Sequence, residues 1–144
     1  MNRPGNTHGR RERLLAQAGD RCGYCRSSQR IMGVRLILDH LTPLGRGGVD
    51  DEENLWPSCQ PCNGFKQART EVRDLVSGDV VPLFNPRRQQ WNEHFAWVDG
   101  GRRIDGRTAI GRATVAALRL NREELVEARG FWIQAGWHPP ADDV

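Results

Sequence analysis

Cys22-Gly23-Tyr24-Cys25 and Cys59-Gln60-Pro61-Cys62 stand 33 residues apart. Between them run Asp39-His40-Leu41-Thr42-Pro43-Leu44-Gly45-Arg46-Gly47-Gly48 and, further on, Asn54-Leu55, and Asn63 follows the second pair directly. Two Cys-x-x-Cys pairs admit three readings: a four-thiolate metal site, a disulfide framework, or thiol redox chemistry. A disulfide framework needs an oxidising compartment, and Met1–Arg13 is polar and arginine-rich with no apolar run of an export signal. Redox chemistry expects a single pair in a β-α-β setting, which the surrounding pattern does not offer. The spacing therefore favours a structural Zn2+ held by Cys22, Cys25, Cys59 and Cys62. Gly23 suits a tight knuckle, and Pro61 fixes a turn that can open a helix. The enclosed segment is longer than the connector of a minimal zinc ribbon, so it must fold as a unit of its own.

Bulk properties agree with a small fold that needs such a clamp. The chain has 144 residues, 38% of them hydrophobic, with a mean hydropathy of −0.66. That supports only a modest core, and a metal clip offsets the shortfall. No apolar run approaches the ~20 residues of a membrane span, so a cytoplasmic location is expected. The net charge of +3 is uneven. Residues 1–49 hold nine arginines against three acids, whereas residues 50–80 hold three basic and seven acidic residues. A basic leading part suits a polyanion such as nucleic acid, although charge alone equally describes a solvated surface. Of the 21 basic residues twenty are arginine, and Lys66 is the exception.

Along the chain, residues 1–8 read as disordered. Residues 9–19 read as a short helix with Leu14, Leu15 and Ala18 on one side, ended by Gly19. Residues 33–39 read as a strand, Pro43 and the glycines at 45, 47 and 48 force a loop, and residues 54–57 supply a second short strand. Residues 59 to about 77 read as a helix, with Ala68, Val72, Leu75 and Val76 on its inner face and Gly78 as its stop. From residue 80 an extended crossing leads to a hairpin, 93–98 and 102–107 about Asp99-Gly100-Gly101. Two helices follow near 109–119 and 122–135, with Asn121 and Glu124 as a capping box for the second. The five tryptophans read as packing residues, and His8, His94 and His138 as structural or surface groups.

The ordered set Cys-x-x-Cys, Asp39-His40-x-x-Pro43, Arg46-Gly47-Gly48, Asn54-Leu55, Cys59-x-x-Cys62-Asn63-x-x-Lys66 resembles the HNH endonucleases, ββα-metal nucleases with added zinc knuckles. It differs where many members carry a histidine and this chain has Asn63, an Asn-ended variant. The resemblance implies an α+β fold, with a ββα-metal finger in a nuclease domain over residues 9–79 and a C-terminal extension of hairpin and helices over 80–144. It also implies DNA as the partner and phosphodiester cleavage as the reaction. The residue chemistry fits that expectation. Asp39 and Asn63 offer hard oxygen donors suited to a catalytic Mg2+ or Mn2+. His40 has the ordinary properties of a general base near pH 7. Asn54 is expected to orient the loop or the His40 ring, and Lys66 and Arg46 to contact phosphate. Adjacent strand residues point to opposite faces, so Asp39 and His40 can serve one site only where the strand ends. The rival expectation is a non-catalytic zinc module that binds nucleic acid through its arginine-rich part.

Overall fold

The computed structural model describes residues 9–141. The reading of residues 1–8 as disordered, and His8 with it, lies outside the described residues. The chain forms mixed helix and small antiparallel sheets, an α+β architecture, in two compact units. The first takes residues up to Thr70 together with Asn85–Arg87, and the second takes Glu71–Phe84 and the residues from Arg88 on. Among the described residues no helix is long and apolar enough to cross a membrane.

In the first unit α1 (Arg10–Ala18) buries Leu14 and Ala18 and packs on β2 (Leu55–Ser58). Gly19 ends α1 at φ 63°, its N–H returning to Ala16 O. The first knuckle follows, then the four-residue α2 (Gln29–Met32), capped by the Ser28 hydroxyl on Arg30 N. Strand β1 (Ile37–His40) starts four residues later than the expected strand and ends on the histidine. It pairs antiparallel with β2, Asp39 opposite Trp56 and His40 opposite Leu55. The second knuckle runs straight into α3 (Gln60–Lys66), with Pro61 in its first turn. Two strands and α3 thus make a ββα hairpin-and-helix over a core of Leu14, Leu36 and Leu55.

The helix expected to run to residue 77 stops at Lys66. Gln67 turns the chain at φ 55°, and Glu71–Arg73 forms a strand, β3, instead. Leu75 and Val76, expected on an inner helix face, are 82% and 76% exposed. The cause is local: the buried Asp74 carboxylate accepts from Val76 N and Ser77 N and closes a turn whose ends join at Asp74 N to Asp79 O. A side chain that satisfies its own turn competes with helix.

The second unit pairs β3 with β4 (Val80–Pro82), then places α4 (Trp91–His94) before a hairpin of β5 (Phe95–Val98) and β6 (Arg103–Gly106). Helices α5 (Ala109–Ala117) and α6 (Glu123–Gln134) complete it. Phe84, Trp91 and Phe95 form an aromatic centre with ring centroids 5.0 and 5.2 Å apart. Gly111 allows α5 to cross closely, since a Cβ there would stand 2.0 Å from His94 O. The capping box is not formed. Arg122 is the N-cap of α6 without a side-chain bond, and the Asn121 amide instead bonds both Ile104 N and Ile104 O on β6. His94 meets the Thr108 hydroxyl at 2.6 Å, and His138 is buried with Nε2 2.9 Å from Gly101 O. Trp137 departs from the packing expectation at 59% exposed.

Candidate metal centre and HNH site

The two knuckles bring four cysteines from the ends of the enclosed segment to one point. Cys22, Cys25, Cys59 and Cys62 are all buried, and their sulfurs lie within 4.8 Å of one another. Cys25 Sγ and Cys59 Sγ are 3.7 Å apart. Four zinc–sulfur bonds of about 2.3 Å in a tetrahedron separate sulfurs by about 3.8 Å, so the donor set fits Zn2+. Tyr24 N donates to Cys22 Sγ at 3.4 Å, and the Ser27 hydroxyl lies 3.2 Å from Cys25 Sγ. Burial pushes the Cys22 thiol well up, whereas the hydrogen bond from Cys22 draws Cys25 down. The packing is close: a Cβ on Gly23 would stand 2.4 Å from the Trp56 ring.

Next to this cluster, β1 ends with two side chains that go separate ways. Asp39 is 7% exposed. Its Oδ2 lies 3.2 Å from Lys66 Nζ and 3.3 Å from the Tyr24 hydroxyl, and its Oδ1 3.4 Å from the same ammonium. Burial raises the Asp39 carboxyl, and Lys66 opposes that rise. Burial also pushes the Tyr24 hydroxyl well up, with the Asp39 charge adding to it. Lys66, expected to contact phosphate, is 2% exposed and also donates to His40 O at 3.4 Å. The buried carboxylate is thus paired with the Lys66 ammonium. Asn63, half-buried in the first turn of α3, lies one turn before Lys66 on the same side of the helix. Its carbonyl-bearing amide and the Asp39 carboxylate are hard donors whose chemistry fits Mg2+ or Mn2+.

His40 is 29% exposed at its side chain, and its Nε2 lies 3.0 Å from Asp50 Oδ1. An ionised carboxylate only accepts, so Nε2 carries the hydrogen, which leaves Nδ1 as the nitrogen that holds the lone pair in the neutral ring. Arg10 also donates to Asp50 Oδ1, and the His40 hydrogen bond, with Arg10 second, holds the Asp50 carboxyl below its ordinary value. The Asn54 side chain makes its hydrogen bonds to the loop and none to His40. Its Oδ1 accepts from Thr42 N at 2.9 Å, and its Nδ2 donates to Thr42 O at 2.9 Å and Val49 O at 2.8 Å. The loop therefore closes on Asn54 and delivers Asp50, the next residue, to the imidazole. Gly48 makes that closure possible, because a Cβ there would fall 1.8 Å from Thr42 O. Arg46 is exposed in the 3-10 turn Leu44–Arg46 of this loop.

Residues 22–69 match the HNH endonuclease family model. The HNH segment covers a third of the chain, and its limits enclose both knuckles, β1, β2 and α3. No curated protein and no solved structure matches the chain. The family match and the four-cysteine cluster together give a nuclease-type, metal-binding character to this segment. Sequence reasoning missed two members of the site, Asp50 and Tyr24. Asp50 had a readable signal, an acid placed where the glycine-rich loop ends. Tyr24 had none, since its hydroxyl meets Asp39 only through the fold.

Proposed function

We propose that the HNH segment is a metal-dependent endonuclease that hydrolyses phosphodiester bonds of DNA, with His40 as general base. The observation that carries this reading is the His40 imidazole, partly open to solvent, bonded through Nε2 to Asp50, one residue beyond a buried carboxylate. His40 accepts through Nδ1 the proton of the attacking water. Asp50 fixes which ring nitrogen is free for that task and stabilises the imidazolium that results. Asn54 acts at one remove, by holding the loop that presents Asp50. Asp39 and Asn63 hold the divalent ion, Mg2+ or Mn2+. When bound, that ion supplies neutralisation of the phosphate charge and support for the leaving 3′-oxygen. Arg46, exposed on the loop, pairs with a backbone phosphate and positions the duplex without reading sequence. The four cysteines keep their zinc as a structural clamp, closed to substrate. The protein works in the cytoplasm, where free thiols persist.

Nicking of supercoiled plasmid by the zinc-loaded protein tests the proposal. With Mg2+ or Mn2+ the wild type is expected to relax the plasmid, and His40→Ala to do so slower by about 100-fold or more. Equal rates would end the assignment of His40. Salt-dependent DNA binding with no cleavage in either ion would mark a binding module instead.

A further inference from the structure

Lys66 is the single lysine of a chain that otherwise places arginine at every basic position. It is also 2% exposed, its ammonium set against both oxygens of Asp39 at 3.2 and 3.4 Å and against His40 O at 3.4 Å. The two side-chain types differ in how they hold a carboxylate. A guanidinium engages it through a rigid fork of donors, whereas an ammonium is a compact charge on a flexible four-carbon stem. The chain departs from arginine at the one carboxylate assigned to a divalent ion. An ammonium and a divalent ion in full contact with one buried carboxylate repel each other strongly, because the surroundings screen poorly.

We propose that Lys66 is the resident counter-cation of Asp39, neutralising the carboxylate while no divalent ion is present and drawing back from it when one binds. The proposal rests on the reading of Asp39 as an ion ligand. Lys66 keeps the buried carboxylate paired and the empty segment folded. It also competes for Asp39, so the segment takes up the ion less tightly than its donors alone would allow. Without the ammonium, Asp39 keeps only the Tyr24 hydroxyl and no counter-charge, and an added ion both binds more tightly and stabilises the fold more.

The lone lysine provides a direct probe. In zinc-loaded protein carrying 13Cε- and 15Nζ-labelled lysine, Lys66 gives one side-chain signal. Titration with Mg2+ is expected to shift it saturably in the wild type and to leave it fixed in Asp39→Asn. In parallel, Mn2+ binding followed by electron paramagnetic resonance should tighten by about tenfold or more in Lys66→Met and weaken in Lys66→Arg. The rise in Tm on adding Mn2+ should be larger in Lys66→Met than in the wild type. Lys66→Gln replaces Lys66→Met should the latter fail to fold, and the labelled wild type needs no substitution at all. A Lys66 signal that stays fixed while Mn2+ binds through Asp39 overturns the proposal and leaves the ligand assignment standing. Failure of Mn2+ to bind wild type and Lys66→Met alike overturns both.

Discussion

Asn54 holds the loop that carries Asp50 without a side-chain bond to His40. Three backbone groups of the loop end on its amide: Thr42 N–H, Thr42 O and Val49 O. Asn54→Ala strands them, which should lower stability by about 2 kcal/mol, read from the urea midpoint. Nicking should fall as well, because Asp50 follows Val49 and loses its fixed approach to His40. Asn54→Asp should do no better, since it sets a carboxylate oxygen against two carbonyl oxygens. The positions of these residues were legible because their order along the chain is itself a pattern. Their partners were not. Asp50 reaches His40 and Tyr24 reaches Asp39 across gaps of 10 and 15 residues, and no local periodicity announces such meetings. Lys66 carries the same lesson in reverse: its place in the motif was plain, whereas its direction, inward to Asp39, shows only in the fold.

Among the elements, the strands β1, β2, β5 and β6 and the last two helices were read from the sequence to within a few residues of their bounds. The run after α3 was misread because Ala68, Val72, Leu75 and Val76 mimic a helical stripe. Their spacing was outweighed by Gln67 at positive φ and by the Asp74 turn. Asp74 is buried and meets Arg112 through two bonds of 3.2 and 2.8 Å. Arg112 holds its carboxyl far below the ordinary aspartate value of 3.8. A depressed folded-state value contributes stability above the unfolded value and loses it as pH falls through the folded one. The stability gap between wild type and Asp74→Asn should therefore be greatest near neutral pH. It should close as pH drops below about 3.8, and denaturant titrations at a series of pH values measure this. Asn121 makes a second case. Its amide bonds Ile104 on both sides, so Asn121→Ala should cost about 1–3 kcal/mol, where loss of a mere cap would cost about 1 kcal/mol. A chemical-denaturation midpoint measures the loss.

On the scale of the molecule, the HNH segment brings together four sulfurs supplied from its two ends. Structural zinc contributes on the order of 10 kcal/mol in small domains, more than a core of this size can replace. Cys59→Ser, or a strong chelator, should abolish the protected amides of β1, β2 and α3 in hydrogen-exchange measurements, and nicking should vanish with them. Retained protection in zinc-free protein would show that the apolar core suffices. One practical matter follows from the burial of the only lysine. Amine-reactive dyes, crosslinkers and coated surfaces find no open side-chain target on this protein. They should leave Lys66 unmodified as long as the protein stays folded, and its labelling would report unfolding of the segment around Asp39.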